Sequence, residues 1–352
     1  MAKDVVVVVN LDTMPRPAEV LDILLISTEG AVPINTYRSL TDIQVAFPDK
    51  RIANKAAALF NQGRTTLADS LIRRVKIVGF AQPDDSDALV QDIETLQDID
   101  NDWYVFMTDQ DGDDFVQALA QFAELSEPTE AELGAGAEDM RKFYFGQTDN
   151  LALVGKYARS AIIYVDTENL LEEADAAWVG NVGPFYPRYV TWKFKRPDRI
   201  TRPDISDSQR ASLAEANVNF LTEEYKKQYV KNGTCWNGEF IDVVLGADYI
   251  TQYMREELYN VFLSNEIIPY DDNGFAIVAS AVFAALNRAV ELGIIASDSG
   301  SGAGIYSVIV PARASATDEQ ASNRQMPDII WDAQISGAVH GVKTRGTLRV
   351  TL

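Results

Sequence analysis

The sequence predicts an α/β fold: a first half built on a mainly parallel sheet, an α+β second half, and extended β-strand arms at both ends. Three observations carry this. Short apolar runs alternate with amphipathic helical stretches from residue 20 to about 166, the pattern of strand–helix–strand units. Composition then shifts near residue 178 to a stretch rich in aromatic, Gly, Pro and basic residues, WVGNVGPFYPRYVTWKFKRPDR. Both tips, MAKDVVVVVNLDT and TRGTLRVTL, are rich in β-branched residues.

Taken in order, residues 1–16 read as a strand followed by a Pro-containing turn, Met14-Pro15-Arg16-Pro17. VLDILLIST (20–28) is a strand. A helix follows with Ile52, Ala56, Leu59 and Phe60 on one face and Gly63 as its stop. RRVKIVGF (73–80) is the next strand, then a helix opened by Asp84 to Asp87 and carrying Leu89, Ile93 and Leu96. WYVFMT (103–108) is a strand, and 113–125 a helix with Phe115, Leu119 and Phe122 inward. RKFYFGQ (141–147) and RSAIIYVD (159–166) complete the first half. Acidic residues recur where strands hand over to helices, as N-terminal capping requires.

In the second half RYVTWKFK (188–195) reads as a strand, and Ser206 or Asp207 opens a helix with Leu213, Ala216 and Phe220 on one stripe. GEFIDVVLG (238–246) reads as a strand, and 248–264 as a helix with Ile250, Met254, Leu258, Val261 and Phe262 on one face. Asn273 or Asp272 caps a sparsely charged helix, 275–292, expected at the buried centre of this half. SDSGSGAG (297–304) is a loop before the strand IYSVIVPA, SATDEQASNRQMPD (315–328) a polar linker, and ISGAVHGVKTRGTLRVTL two strands around a turn. The expected divisions are an N-terminal arm (1–17), an α/β domain (18–180), a second domain (181–330) and C-terminal strands (331–352).

Composition narrows the chemistry. The chain has 352 residues, 52 acidic and 31 basic, for a net charge of −21, which repels phosphate backbones and argues against nucleic acid as a partner. One Cys (Cys235) and one His (His340) exclude an internal disulfide and a Cys/His zinc cluster, and point to a reducing compartment. Asn232-Gly233-Thr234 is a chance sequon, since the apolar run at Val5 to Val9 is too short for a signal peptide. No stretch is expected to span a bilayer; the most apolar, near 275–286, ends in Asn287-Arg288. The expectation is a soluble cytosolic product without membrane anchoring.

Candidate chemical motifs are weak. TDQDGDD (108–114) resembles the start of a calcium loop, but the twelfth position counted from Asp109 is Ala120, so helix capping is the expected role. Gly300, Gly302 and Gly304 lack the Gly-Lys-Ser/Thr of a phosphate loop. His340 has no nucleophile motif to serve, and no carboxylate pair stands out from the rest. No catalytic residue, metal or cofactor is expected. The basic stretch with Lys193, Lys195, Arg196 and Arg199 contrasts with the acidic whole and reads as a nucleic-acid patch, as a dock for an acidic protein partner, which the overall charge favours of these two, or as a plain amphipathic edge strand; Lys226, Lys227 and Lys231 form a second, weaker basic cluster.

The tips pose a separate question. A terminal strand either pairs within its own sheet or completes a sheet in a neighbour. Composition alone leaves the two even.

The stretch VTWKFKRPDRITRPDISDSQRASLAEANVNFLTEEYKKQ resembles the second half of contractile-tail sheath proteins of bacteriophages and tailocins. So do the elements N-x-N-F (Asn217, Asn219, Phe220), IDVV-x-G-x-D (Ile241 to Val244, Gly246, Asp248) and IPY-D-x-G (Ile268 to Tyr270, Asp272, Gly274), with KFYFGQTDN in the first half. The resemblance covers roughly residues 20–295 and the ends. It implies a structural subunit and no enzyme. Such subunits form a homo-oligomer of stacked hexameric rings around an inner tail tube protein, with baseplate and tail terminator proteins as further partners. They are assembled in the bacterial host cytoplasm and belong to a virion tail or tailocin particle. The sheath contracts from a metastable extended state, and terminal arms add strands to neighbouring subunits. Carried over, Val5, Val6, Val7, Val8 and Val9 form one arm and Thr347, Leu348, Arg349, Val350, Thr351 and Leu352 the other. The expected acceptor is the sheet of the second-half domain, with Gly337 to Val342 as the strand beside it, and one or other of the two basic clusters is the candidate tube contact. The alternatives are a non-contractile structural phage protein, such as a tube or capsid-associated component, and an α/β enzyme.

Overall fold

A computed structural model describes residues 21–62, 72, 74–129, 140–343 and 345. Among these residues eight strands form one sheet: β1 (Ile23–Ser27), β2 (Val32–Tyr37), β3 (Val75–Gly79), β4 (Val105–Thr108), β5 (Phe143–Thr148), β6 (Ser160–Tyr164), β7 (Asn219–Glu224) and β8 (Lys227–Val230). Their spatial order is β2-β3-β1-β4-β5-β6-β7-β8. The pairings from β3 to β7 are parallel, and the edge strands β2 and β8 are antiparallel. β1, β4, β5 and β6 are buried at every position, which is why their sequences read as continuous apolar runs and not as alternation.

Helices cover both faces. α1 (Leu40–Ala46) precedes α2 (Arg51–Phe60), which packs with α5 (Ala174–Val182) on one face; Ile52, Ala56, Leu59 and Trp178 share a core with Leu25, Val105 and Phe145. α3 (Ser86–Ile99) and α4 (Asp113–Leu125) cover the other, placing Leu89, Ile93, Val116 and Leu119 against Leu24, Phe106 and Tyr144. Asp85 caps α3 by accepting from the Ala88 N–H at 2.9 Å. The expected stop of α2, Gly63, lies outside the described residues.

The second half departs from expectation. RYVTWKFK is not a strand. Trp192 turns into the core, its ring stacked on Phe145 at 4.8 Å, and Phe194 takes a φ of 62°, which breaks extension. Its backbone bonds to the sheet where Phe194 N–H donates to Val230 O and Val230 N–H to Lys195 O. α6 (Asp207–Glu215) opens with a Ser206–Gln209 capping box and buries Leu213. It stops at Asn217, with a φ of 55°, so Phe220 belongs to β7 and not to the helix stripe.

GEFIDVVLG is also no strand. A single helix, α7, runs Ile241–Ser264. The β-branched run yields to a longer helical stripe in which Ile241, Leu245, Tyr249, Ile250 and Met254 are buried, tertiary burial overriding local propensity. α8 (Asp272–Glu291) is capped by Asp271, one residue before the expected cap. α8 has 20 residues and is long and apolar enough to cross a membrane by length and composition, contrary to expectation. Here Phe275, Val278, Val282 and Leu286 are buried instead in the protein.

β9 (Tyr306–Ile309) pairs antiparallel with β10 (Ile330–Ala333), which the sequence analysis missed. Within the linker between them lies a short helix, α9 (Asp318–Ser322). Gly337 to Val342 is not a strand; Ile335 makes only an isolated bridge to Ile295. The expected acceptor strand is therefore corrected.

Asn219 shows why N-x-N-F matters. Its buried amide donates to Ile162 O (3.1 Å) and Thr234 O (2.8 Å) and accepts from Gly233 and Thr234 N–H (2.8 and 3.1 Å), fastening β7 to β6 and to the segment that follows β8. Asn219→Ala strands these backbone groups and is expected to lower unfolding stability by about 2–4 kcal/mol. A urea midpoint equal to that of the unaltered chain would refute this role.

Candidate assembly surfaces

The two ends of the sheet carry different ionic clusters. At the carboxyl ends of the strands, where α/β proteins place ligands, the chain fills the space itself. Arg51 and Lys55 face Asp111, Glu173 and Asp175: Lys55 Nζ lies 2.7 Å from Asp175 and 2.9 Å from Glu173, and Arg51 Nε 2.5 Å from Glu173. Arg51 also pairs with Asp111 and donates to Asp109 O at 2.8 Å. Three carboxylates share two cations. Burial pushes Asp111 up to about 7 against the pull of Lys55 and Arg51, and Glu173 and Asp175 add to the rise. Burial acts to lower Arg51 and Lys55, but their carboxylate partners overcome it and hold both above their ordinary values.

The aspartates of TDQDGDD thus separate. Asp109 accepts from Ser27 and Thr28, Asp111 joins the cluster, and Asp113 accepts from Asn150 at 2.6 Å. The cap of α4 is Gly112, without a side-chain bond, which corrects the capping expectation. Among the described residues no group of three or more His, Cys, Asp or Glu side chains is arranged to hold a metal ion. Cys235 is buried, and burial pushes its thiol well up. His340 sits 2.8 Å from Thr191 Oγ1, its ring against Phe240 at 4.9 Å.

At the amino ends of the strands, Asp248 of α7 pairs with Arg159 and takes the Tyr104 hydroxyl at 2.5 Å and Arg141 Nη1 at 3.2 Å. Burial pushes its carboxyl up, but Arg159 foremost, with Arg141 and Tyr104, outweighs this and holds it below the usual value. Two residues before it, Gly246 lets Ile294 approach: a Cβ there would lie 2.9 Å from Ile294 Cγ2. The motif IDVV-x-G-x-D is therefore a helix that clamps the sheet with its Asp and seats Ile294 at its Gly.

α7 and α8 form their own small core from Tyr249, Ile250, Met254, Val282, Leu286 and Ile294. The turn between them explains IPY-D-x-G. Asp271 accepts from the Gly274 N–H at 2.9 Å, and a Cβ at Gly274 would lie 1.8 Å from Pro269 O. Tyr270 packs edge-on against Phe275 and donates to Gln325 O, which anchors the segment leading to β10.

β9 and β10 lie over this core, with Tyr306, Val308, Ile329 and Ala333 packed on it. Among the described residues no third strand flanks either edge. Ile309 (63% exposed), Ile330 (60%) and Trp331 (39%) stand out to solvent. A cleft of about 430 Å³ opens beside β10, lined by Met254, Leu258, Phe262, Phe275, Val278 and Trp331 among others. Of the large apolar side chains exposed among the described residues, twelve lie within 240–342 and seven elsewhere, so apolar exposure concentrates here.

The two basic clusters meet at β8. Phe194 packs on Tyr229 at 5.3 Å, Lys193 lies over the Phe194 ring and Lys231 over Tyr229. Lys195 is half-buried, and Arg196 and Arg199 are exposed beside it. Lys226 and Lys227 stand at the β7–β8 turn. The arm residues Val5, Val6, Val7, Val8 and Val9, and Thr347, Leu348, Arg349, Val350, Thr351 and Leu352, lie outside the described residues.

Residues 241–347, from the first residue of α7, match the family described as E217 tail sheath protein gp31-like, C-terminal domain. Over these residues the chain is similar to a tail sheath C-terminal domain. It superposes on a chain of the anti-feeding prophage baseplate with a TM-score of 0.68 at 14% identity, covering 95% of this chain and 94% of that one. It superposes on the contracted helical sheath of the same prophage at 0.67 and 14%, covering 94% and 93%. The sheath tail protein Lin1278 from Listeria innocua gives 0.51 at 10% identity, covering 84% and 89%. No curated protein matches the chain in sequence. At these identities the superpositions establish the sheath fold, and they span nearly the full length of both chains.

Two outcomes follow from the ionic clusters. Asp248→Asn leaves the buried Arg159 with only the half-exposed Glu127 as its carboxylate and is expected to cost about 3 kcal/mol, read as a drop in the urea midpoint; a change below ~1 kcal/mol would show that α7 does not need the clamp. With its carboxyl pushed up to about 7, Asp111 holds its proton more tightly in the fold than in the unfolded chain, so raising pH from about 4 to about 7 favours unfolding, by at most about 4 kcal/mol. The melting temperature should be higher at pH 5 than at pH 7.5, and Asp111→Asn should shrink the difference. A melting temperature that rises over this interval would contradict the cluster's excess of carboxylates.

Proposed function

We propose that the chain is the subunit of a contractile tail sheath, a structural protein without a reaction of its own. Copies stack as six-membered rings around an inner tube, extended and metastable. They then rotate into a shorter, wider packing that drives the tube through a target envelope. The partners are further copies, the tube protein, and the baseplate and terminator proteins, within a phage virion or tailocin tail assembled in the bacterial host cytoplasm.

The observation that carries this reading is the open-edged β9–β10 ladder, set within the residues that match the sheath C-terminal domain. Two strands with both outer edges unpaired and apolar side chains exposed invite a further strand. The arms supply candidates of fitting length. Val5 to Val9 spans about 17 Å when extended, against about 13 Å for each four-residue strand. β9–β10, in place of Gly337 to Val342, is thus the proposed acceptor, and the cleft beside Trp331 offers room for the arm's inward valines.

Negative-stain electron microscopy of the full chain, a chain lacking residues 1–12, and Ile330→Lys/Trp331→Lys tests this. The full chain, alone or co-expressed with a tube protein, should form ringed tubes, and both altered chains should not. Since Ile330 is 60% exposed, Ile330→Lys alone should melt within about 2 °C of the unaltered protein and so separates lost docking from lost folding. Tubes from the truncated chain would remove the N-terminal arm from the mechanism, and tubes from the lysine variant would remove β10 as acceptor.

A further inference from the structure

Charge on this chain is segregated. Residues 77–140 hold 18 of the 52 acidic residues and none of the 31 basic ones, leaving 34 acidic against 31 basic elsewhere. Most of these acidic residues lie on or beside α3 and α4. Asp87, Glu94 and Asp98 recur at helical spacing along the exposed side of α3, whose opposite side is fixed to the sheet by Leu89, Ile93 and Leu96. Two large apolar side chains stand in this face, Ile99 at the end of α3 (73% exposed) and Leu125 at the end of α4 (74%).

The basic counterpart is the β7–β8 hairpin. Its turn residues Tyr225 and Lys226 both take positive φ, 51° and 61°, the geometry of a tight two-residue hairpin turn that Gly and Asn ordinarily fill. Tyr225 is 97% exposed at the tip. Lys226 and Lys227 are exposed, and among the described residues neither has an ion pair, whereas Glu224 is taken by Lys231 at 2.8 Å. Lys193 and Phe194 extend the patch along β8.

Within one molecule the carboxylates of α3 are held away from the hairpin. α3 connects β3 to β4, and β8 lies four strand spacings from β4, about 19 Å across the sheet. We propose that the basic β7–β8 hairpin of one copy docks on the acidic α3–α4 face of a second copy. Opposite charge selects the pairing, and the exposed Tyr225 meets a face that carries its own exposed apolar residues, Ile99 and Leu125. Because the two patches differ, the contact is head-to-tail. It propagates into a ring or helix instead of closing as a twofold dimer. It deepens the sheath reading by naming one lateral contact between subunits, and it commits these lysines to a second copy and not to the tube.

The test uses four full-length chains, all with intact arms: unaltered, Lys226→Glu/Lys227→Glu, Asp87→Lys/Glu94→Lys/Asp98→Lys, and the two sets combined. Self-association is read by sedimentation velocity at low and high salt, and tube formation by microscopy. Each set alone should weaken self-association at least about tenfold, and the combined chain, whose charges are swapped but again complementary, should regain it. Association of the unaltered chain should weaken as salt rises. Either reversal leaving association unchanged, or a combined chain no better than its parents, overturns the contact. Tubes from the unaltered chain that persist in every variant would leave the sheath reading standing and refute this contact alone. Loss of tube capture with self-association intact would likewise refute it and assign the lysines to the tube.

Discussion

One carboxylate joins the two parts of this molecule. Asp248 leaves α7 to meet Arg159, Arg141 and Tyr104 at the amino ends of β6, β5 and β4. A charge taken out of water must be met by charge and hydrogen bonds, or its desolvation outweighs any gain. Here two guanidinium groups and a hydroxyl meet it, and Arg159 is held in turn by Lys142 O and Glu127. The direction in which α7 leaves the sheet is fixed by these partners. So is the placement of everything built on α7: the partner helix α8, the Pro269–Gly274 turn and the β9–β10 ladder.

The opposite end of the sheet uses ions differently. Arg51, Lys55, Asp111, Glu173 and Asp175 occupy the position where doubly wound proteins bind ligands, and they neutralise one another there with one carboxylate in excess. At this end of the sheet the charges are held in an ion network, while the unit built on α7 leaves apolar side chains exposed.

Much of the first half was legible in the sequence because its elements have one clear period each. The 113–125 helix matches the structure at both ends, and the strands from VLDILLIST to RSAIIYVD are all present. Legibility fell where tertiary contacts overrode local preference. IDVVLG is β-branched and reads as a strand, but its Ile241 and Leu245 continue a helical stripe visible only once 248–264 is joined to it. RYVTWKFK alternates like a strand because Trp192 is drawn into an aromatic cluster with Phe145 and Trp178, not because it joins a ladder. β10 was missed because four residues, IWDA, follow a polar linker and carry little pattern. Of the candidate sites, the two basic clusters were legible as residues, but their convergence at β8 was not. It depends on the backbone pairing of Phe194 and Lys195 with Val230, which sequence spacing does not reveal. The acidic weighting of α3 and α4 was present in the sequence as a run without a single basic residue, but it becomes a surface only once α3 and α4 are seen on one face of the sheet.

The proposed sheath must keep its subunits connected while their packing changes, and the two kinds of contact inferred here suit different halves of that requirement. A strand added to β9–β10 forms several directional backbone bonds at once and buries β-branched side chains against Ile309, Ile330 and Trp331; it is lost only as a unit. Exposed ion pairs between a hairpin and a helix face are each worth about 0–1 kcal/mol, act over a Debye length and tolerate sliding. Contacts of the second kind can be exchanged for others along the same acidic face at little cost, while contacts of the first kind persist as hinges. A subunit that joined its neighbours by rigid apolar docking on every side would gain strength and lose the second packing. Apolar exposure concentrated in residues 240–342, with an acidic face at α3–α4 set apart from a basic hairpin at β7–β8, is the division of labour that suits such a lattice.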